Sequence, residues 1–96
     1  MSSLSSLPKD TLLADVEALR AALASAPVTD AQQKALYQCE RLAAAVQSSH
    51  SEALRFAAFT VNKAVRDHAA EWPPEVAARM QKIREMLEGA GLDLAK

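Results

Sequence analysis

Two histidines, His50 and His68, and a single cysteine, Cys39, are the side chains of this 96-residue chain best suited to nucleophilic, proton-transfer or metal chemistry. A thiolate–imidazole pair needs the cysteine exposed and within hydrogen-bond reach of a histidine. Cys39 instead stands in register with Ala35, Leu42 and Val46, at the spacing of one helical face, which predicts a buried thiol. A zinc site needs three or four ligands, and no His/Cys/Asp/Glu cluster has ligand spacing. His68 borders an apolar stripe and is expected to be partly buried and hydrogen-bonded. His50 is expected to face solvent near a helix start.

The carboxylates are scattered and mostly stand beside basic residues at helical spacing, as in Glu17 with Arg20. No isolated acidic pair is set among apolar residues, as acid/base catalysis would need. Gly-rich phosphate loops, GxSxG and HExxH are absent. A histidine phosphotransfer domain carries an exposed histidine with Lys-Gly close behind it. Here "SEAL" follows His50 and "AAEW" follows His68, so a phosphorelay role is the weakest reading. The expectation is a non-enzyme with no metal and no cofactor.

The elements that carry these residues read as helices. Half the chain is apolar but only 4% is aromatic, and glycine occurs twice; Ala, Leu, Gln, Glu and Arg lose least on entering a helix. Pro8 suits a first turn, with Asp10 a competing cap. Leu12, Val16, Leu19 and Leu23, backed by Leu13, form one stripe that Pro27 ends. Thr29 and Gln32 make a capping box, in which the hydroxyl takes one free N–H and the amide reaches back to another. The second helix carries the Cys39 stripe, flanked by Leu36 and Ala43. The short "APVT" link predicts that the first two helices lie antiparallel. Around "QSSHSE", Ser49 and Glu52 repeat the capping-box pattern and three serines compete for backbone hydrogen bonds, so a break is expected. With no Gly or Pro between Val28 and Trp72, one continuous helix of about 40 residues also fits the pattern. Pro73 stops the third segment and Pro74 opens the fourth, whose stripe is Val76, Met80, Ile83 and Leu87. Gly89 or Gly91 caps its end, with Leu92 folding back.

The fold class expected is therefore all-α: a small antiparallel bundle of about four helices. Residues 8–92 form the domain, 1–7 a disordered tail and 93–96 a second tail. A net charge of −1 argues against a nucleic-acid binder and against a polybasic membrane surface. A helix-turn-helix reader is disfavoured too, because the third segment sets Arg55, Lys63 and Arg66 against Glu52, Asp67 and Glu71. No apolar run approaches the roughly 20 residues of a membrane span and no signal peptide is apparent. One cysteine allows no internal disulfide. A cytoplasmic, soluble protein is expected.

The two phenylalanines fall off the stripe of the third segment. At about 100° per residue, Leu54, Val61, Val65 and Trp72 share one direction, with Ala57, Ala58 and His68 beside it. Phe56 and Phe59 point about 140–160° away, among Arg55, Lys63, Arg66 and Asp67. Two such rings offer about 300–500 Å², and aromatic centres with arginine rims have the makeup of binding hot spots. Three arrangements accommodate them: a helix sandwiched between two neighbours, a homodimer interface, or a face for another protein.

The run "ALRFAAFTVNKAVRDHAAEWPPEVAARM", on a chain of this size and helix layout, resembles the QslA-type antiactivators of bacterial quorum sensing, which act on the LuxR-type receptor LasR. The resemblance covers most of residues 8 to 92 and rests on no short motif. It implies a small helical homodimer that binds the ligand-binding domain of a LuxR-type transcription factor. Binding would prevent that factor from dimerising and holding its paired DNA half-sites. On this reading Phe56 and Phe59, with Arg55, Lys63 and Arg66, contribute to self-association or to the receptor contact. The alternative is a helical adaptor or regulatory subunit with another partner.

Overall fold

The computed structural model describes residues 8–92; the two expected tails lie outside them. Four α-helices follow in order: α1 (Lys9–Ala24), α2 (Asp30–Ser48), α3 (Ser51–Asp67) and α4 (Pro74–Gly89), with a 3-10 turn at Ala69–Glu71 between the last two. Among the described residues there is no strand. The all-α bundle of four helices expected from the stripes is what forms.

Each stripe meets the others in one core. Leu12, Leu19 and Leu23 of α1, Leu42 of α2, Leu54 of α3, and Ile83 and Leu87 of α4 are fully buried there. Helix α1 packs against both α2 and α4, α2 packs against α3, and α3 meets α4 less closely than these. The start of α1 lies beside the end of α2: Lys9 Nζ donates to the Gln47 carbonyl at 3.2 Å and to Ser49 Oγ at 2.7 Å. The first two helices are thus antiparallel, as the short link required.

The joints differ from their expected chemistry in four places. Pro8 sits just before the first turn rather than in it, and its carbonyl accepts from the Leu12 N–H at 2.9 Å. Thr29 Oγ1 does accept from the Gln32 N–H at 3.1 Å. The Gln32 side chain does not reach back to its own helix start, however. It is buried and donates across the link to the Leu23 carbonyl at 3.0 Å and the Ala26 carbonyl at 3.1 Å. The amide closes the end of α1, where carbonyls would otherwise lack donors.

The third difference is the α2–α3 break. It is present, so the two helices are not continuous, but no Ser49/Glu52 capping box makes it. Ser49 adopts left-handed φ 57°, ψ 34°. The Ser49 N–H donates to the Val46 carbonyl at 3.2 Å and the His50 N–H to the Ala45 carbonyl at 3.4 Å, the two bonds of a Schellman ending. His50 then caps α3, its Nδ1 accepting from the Ala53 N–H at 3.2 Å.

The fourth concerns Trp72, which the helical bookkeeping placed on the stripe of a segment running to Pro73. Helix α3 ends at Asp67, where His68 leaves helical angles. Trp72 still reaches the core after the 3-10 turn, donating from Nε1 to the Val65 carbonyl at 3.2 Å. Helix α4 opens on Pro74 as expected and closes through Gly91, whose φ of 93° suits glycine. The Gly91 N–H donates to Glu88 and the Leu92 N–H to Leu87, and Leu92 packs on the core.

Candidate interaction surface

The groups capable of catalytic chemistry are kept apart. His50 and His68 cap opposite ends of α3, about 25 Å apart at 1.5 Å per residue. His68 is half-buried, its Nδ1 2.8 Å from Glu71 Oε2 and its ring edge-on to Trp72 with centroids 6.1 Å apart. Cys39 is wholly buried, and burial pushes its thiol up to about 12 against the smaller opposing pull of Arg20. It is a core thiol, and at neutral pH it carries no nucleophilic thiolate. No group of three or more potential metal ligands occurs among the described residues.

The aromatic face of α3 is present in part. Phe56 is 64% exposed, whereas Phe59 is half-buried. The rings do not stack on one another; the ring pair among the described residues is His68 with Trp72. The cations expected to rim them are engaged along their own helix. Arg55 lies 3.4 Å from Glu52, Lys63 2.7 Å from Asp67, and Arg66 3.9 Å from the same Asp67. The hydrogen bond from Lys63, helped by its charge and that of Arg66, holds the Asp67 carboxyl below the usual carboxylate range. Such exposed pairs contribute little stability, but they cancel most of the positive rim.

The surface extends instead onto α2. Phe56 borders a groove of about 400 Å³ between α2 and α3, together with Arg41, Ala44, Ser48 and Ala53. Arg41 has no carboxylate partner among the described residues. Its guanidinium lies 5.8 Å from the centre of the Tyr37 ring, and its Nη1 donates to the Tyr37 hydroxyl at 3.3 Å. Tyr37 is itself 54% exposed. Tyr37, Arg41, Ala44 and Ser48 recur at the i, i+4, i+7, i+11 spacing of one helical face. The α2–α3 antiparallel pair therefore presents a tyrosine, an uncompensated arginine and a phenylalanine over a floor of alanines.

Tyr37 and Arg41 belong to this surface although sequence reasoning passed over them. The signal was available: both lie opposite the Cys39 stripe of α2, as Phe56 lies opposite the Val61 stripe of α3. No helix among the described residues is long and apolar enough to cross a membrane. Comparison of the chain with protein-family models, with curated proteins and with solved structures finds no match to any of them.

Proposed function

We propose that the protein is a protein–protein interaction inhibitor that docks through the α2–α3 face. The observation that carries this reading is Phe56, 64% exposed beside Arg41, whose guanidinium has no carboxylate partner among the described residues. Leaving a phenylalanine in water forgoes much of the roughly 1.5–3 kcal/mol its burial yields. A stable interface covers about 800 Å² per partner, so this patch is a centre that surrounding polar residues must complete. An aromatic with an arginine at the centre is the usual composition of such a hot spot.

The partner follows from the resemblance over most of residues 8 to 92: the ligand-binding domain of a LuxR-type transcriptional activator. Covering that domain's self-association surface keeps the activator from its paired half-sites, which a monomer cannot span. The protein acts in this reading as a cytoplasmic homodimer, with Phe56, Phe59, Arg55, Lys63 and Arg66 contributing to self-association or to the receptor contact.

Light scattering on the wild type and on Phe56→Ser with Phe59→Ser tests self-association, with circular dichroism as the control for fold. Calorimetric titration with a purified LuxR-type ligand-binding domain tests the partner. The expectation is a dimer that binds the receptor domain, and a folded double variant that loses self-association or receptor binding. A folded double variant that keeps both removes the face from the mechanism. A wild type that ignores the receptor domain returns the protein to the adaptor class.

A further inference from the structure

The contact of α3 with α4 is looser than those of α1 with α2 and α4 or of α2 with α3, and an open groove of about 380 Å³ runs along it. Its floor is Val65 and Met80, both buried. Asn62 and Gln81 bring amides to its walls, and its charged groups are Arg66 from α3 and Arg84 from α4. No carboxylate lines it. The nearest acids on these two cations hold them loosely, Asp67 at 3.9 Å from Arg66 Nε and Glu88 at 3.6 Å from Arg84 Nη2. Both distances exceed a hydrogen bond. Asp67 is already bonded to Lys63 at 2.7 Å.

Arg84 is incompletely satisfied although it is partly buried. Nη1 donates to Gln81 Oε1 at 3.2 Å, and Nε is buried with no acceptor. A guanidinium offers five donors, so two arginines on facing walls leave most of theirs unused above an apolar floor. A planar anion accepting from both answers that surplus. The groove spans Ala77 to Arg84 on α4, about 10 Å at 1.5 Å per residue. That is too short for a partner helix of several turns. Its volume holds about a dozen non-hydrogen atoms at roughly 30 Å³ each.

We propose that the α3–α4 groove binds a small amphipathic carboxylate, an aliphatic acid of medium length. Its carboxylate bridges Arg66 and Arg84, and its chain covers Val65 and Met80. The site lies on the α3–α4 seam rather than between α2 and α3, shares only Arg66 with the residues assigned above, and stands whether or not that face binds a receptor.

Octanoate is the probe, titrated into the full chain while backbone amide shifts are followed by NMR, with acetate and octan-1-ol as controls. Octanoate is expected to shift residues 62–66 and 77–84 with a dissociation constant on the order of 1 mM, given the few atoms buried. Acetate lacks the chain and octan-1-ol the charge, and each is expected to bind at least about tenfold more weakly. Arg66→Gln and Arg84→Gln each weaken octanoate about tenfold. Ala77→Trp, at an exposed position on the wall, fills the groove and abolishes binding. If Arg84→Gln loses its helical dichroism, Arg66→Gln and Ala77→Trp decide. Absence of shifts at millimolar octanoate overturns the proposal. So does equal binding of octan-1-ol, or binding that survives Ala77→Trp.

Discussion

Exchanging one atom type at Gln32 tests the joint between α1 and α2. In Gln32→Glu the side chain keeps its shape but loses the amide donors. The wild-type Nε2 donates to the Leu23 carbonyl at 3.0 Å and the Ala26 carbonyl at 3.1 Å, while Oε1 accepts from Gln33 Nε2 at 3.1 Å. The residue is only 2% exposed. The Leu23 carbonyl has a second donor in the Ala26 N–H, so the substitution orphans chiefly the Ala26 carbonyl. Two lost hydrogen bonds cost about 1 kcal/mol each, and a buried unsatisfied carbonyl about 1–3 kcal/mol more. The new carboxylate oxygen also faces the carbonyl oxygens that the amide nitrogen met. The expected loss near neutral pH is about 3–5 kcal/mol, a large part of the roughly 5–15 kcal/mol available to a small domain.

The same reasoning fixes the pH dependence. Burial and opposed carbonyls both disfavour the charged form, so the introduced carboxyl titrates higher in the folded state than the roughly 4.3 of an unfolded glutamate. A raised folded value means stability is intact below the unfolded value and is lost as pH rises through the folded one. Protonation also restores one donor. Urea melts followed by far-UV circular dichroism, with wild type and variant compared at each pH, should show a deficit at neutral pH that shrinks at about pH 4. Gln32→Met removes the same bonds and orphans the same carbonyl without a titrating group, and its deficit of about 3–5 kcal/mol should be the same at both pH values. A Gln32→Glu deficit below about 1 kcal/mol, or one that ignores pH, refutes the assignment of this amide as the cap of α1.

Other joints give shorter tests. Ser49 holds left-handed angles without being glycine, so Ser49→Gly should stabilise the fold by up to about 1 kcal/mol in thermal melts, less the exposed contact from Lys9. A lower melting temperature would contradict the Schellman reading of this turn. Replacing the cap of α3 by His50→Ala should cost about 0.5–1 kcal/mol, and His50→Asn should restore it; equal stabilities would show that the Nδ1 contact contributes nothing. Cys39 should resist a thiol reagent in the native state and react only as the chain unfolds, so rapid native labelling would contradict its burial. Because burial raises its thiol from an ordinary value near 9 to about 12, the Cys39 contribution to stability is full below pH 9.0 and falls away as pH rises toward 12. Cys39→Ala should flatten that alkaline decline.

The four helices were legible because each carries its own apolar repeat, and burying that repeat is the dominant favourable term in forming the core. Every residue placed on a stripe of α1, α2 or α4 is buried or packed on the core. What escaped reading depends on groups distant in the chain or on backbone conformation. Gln32 fits a local capping box, yet its donors answer carbonyls six and nine residues back, and no window around Thr29 contains that fact. The α2–α3 turn needed one residue in a left-handed conformation, a role glycine usually signals; Ser49 gives no such mark. The surface was half legible for a related reason. A helical wheel states which residues leave a helix's own core, and it identified Phe56 correctly. It cannot state which neighbouring helix stands beside them. Only the α2–α3 packing brings Arg41 next to Phe56. The rim of Arg55, Lys63 and Arg66 was read as cationic around the rings, although the same segment sets Glu52 and Asp67 against it, and those two carboxylates engage it. The test of the surface therefore belongs at Arg41 as much as at Phe56: if the α2–α3 face is a docking centre, Arg41→Ala should weaken binding where Arg55→Ala, already paired, changes it by less than about 1 kcal/mol.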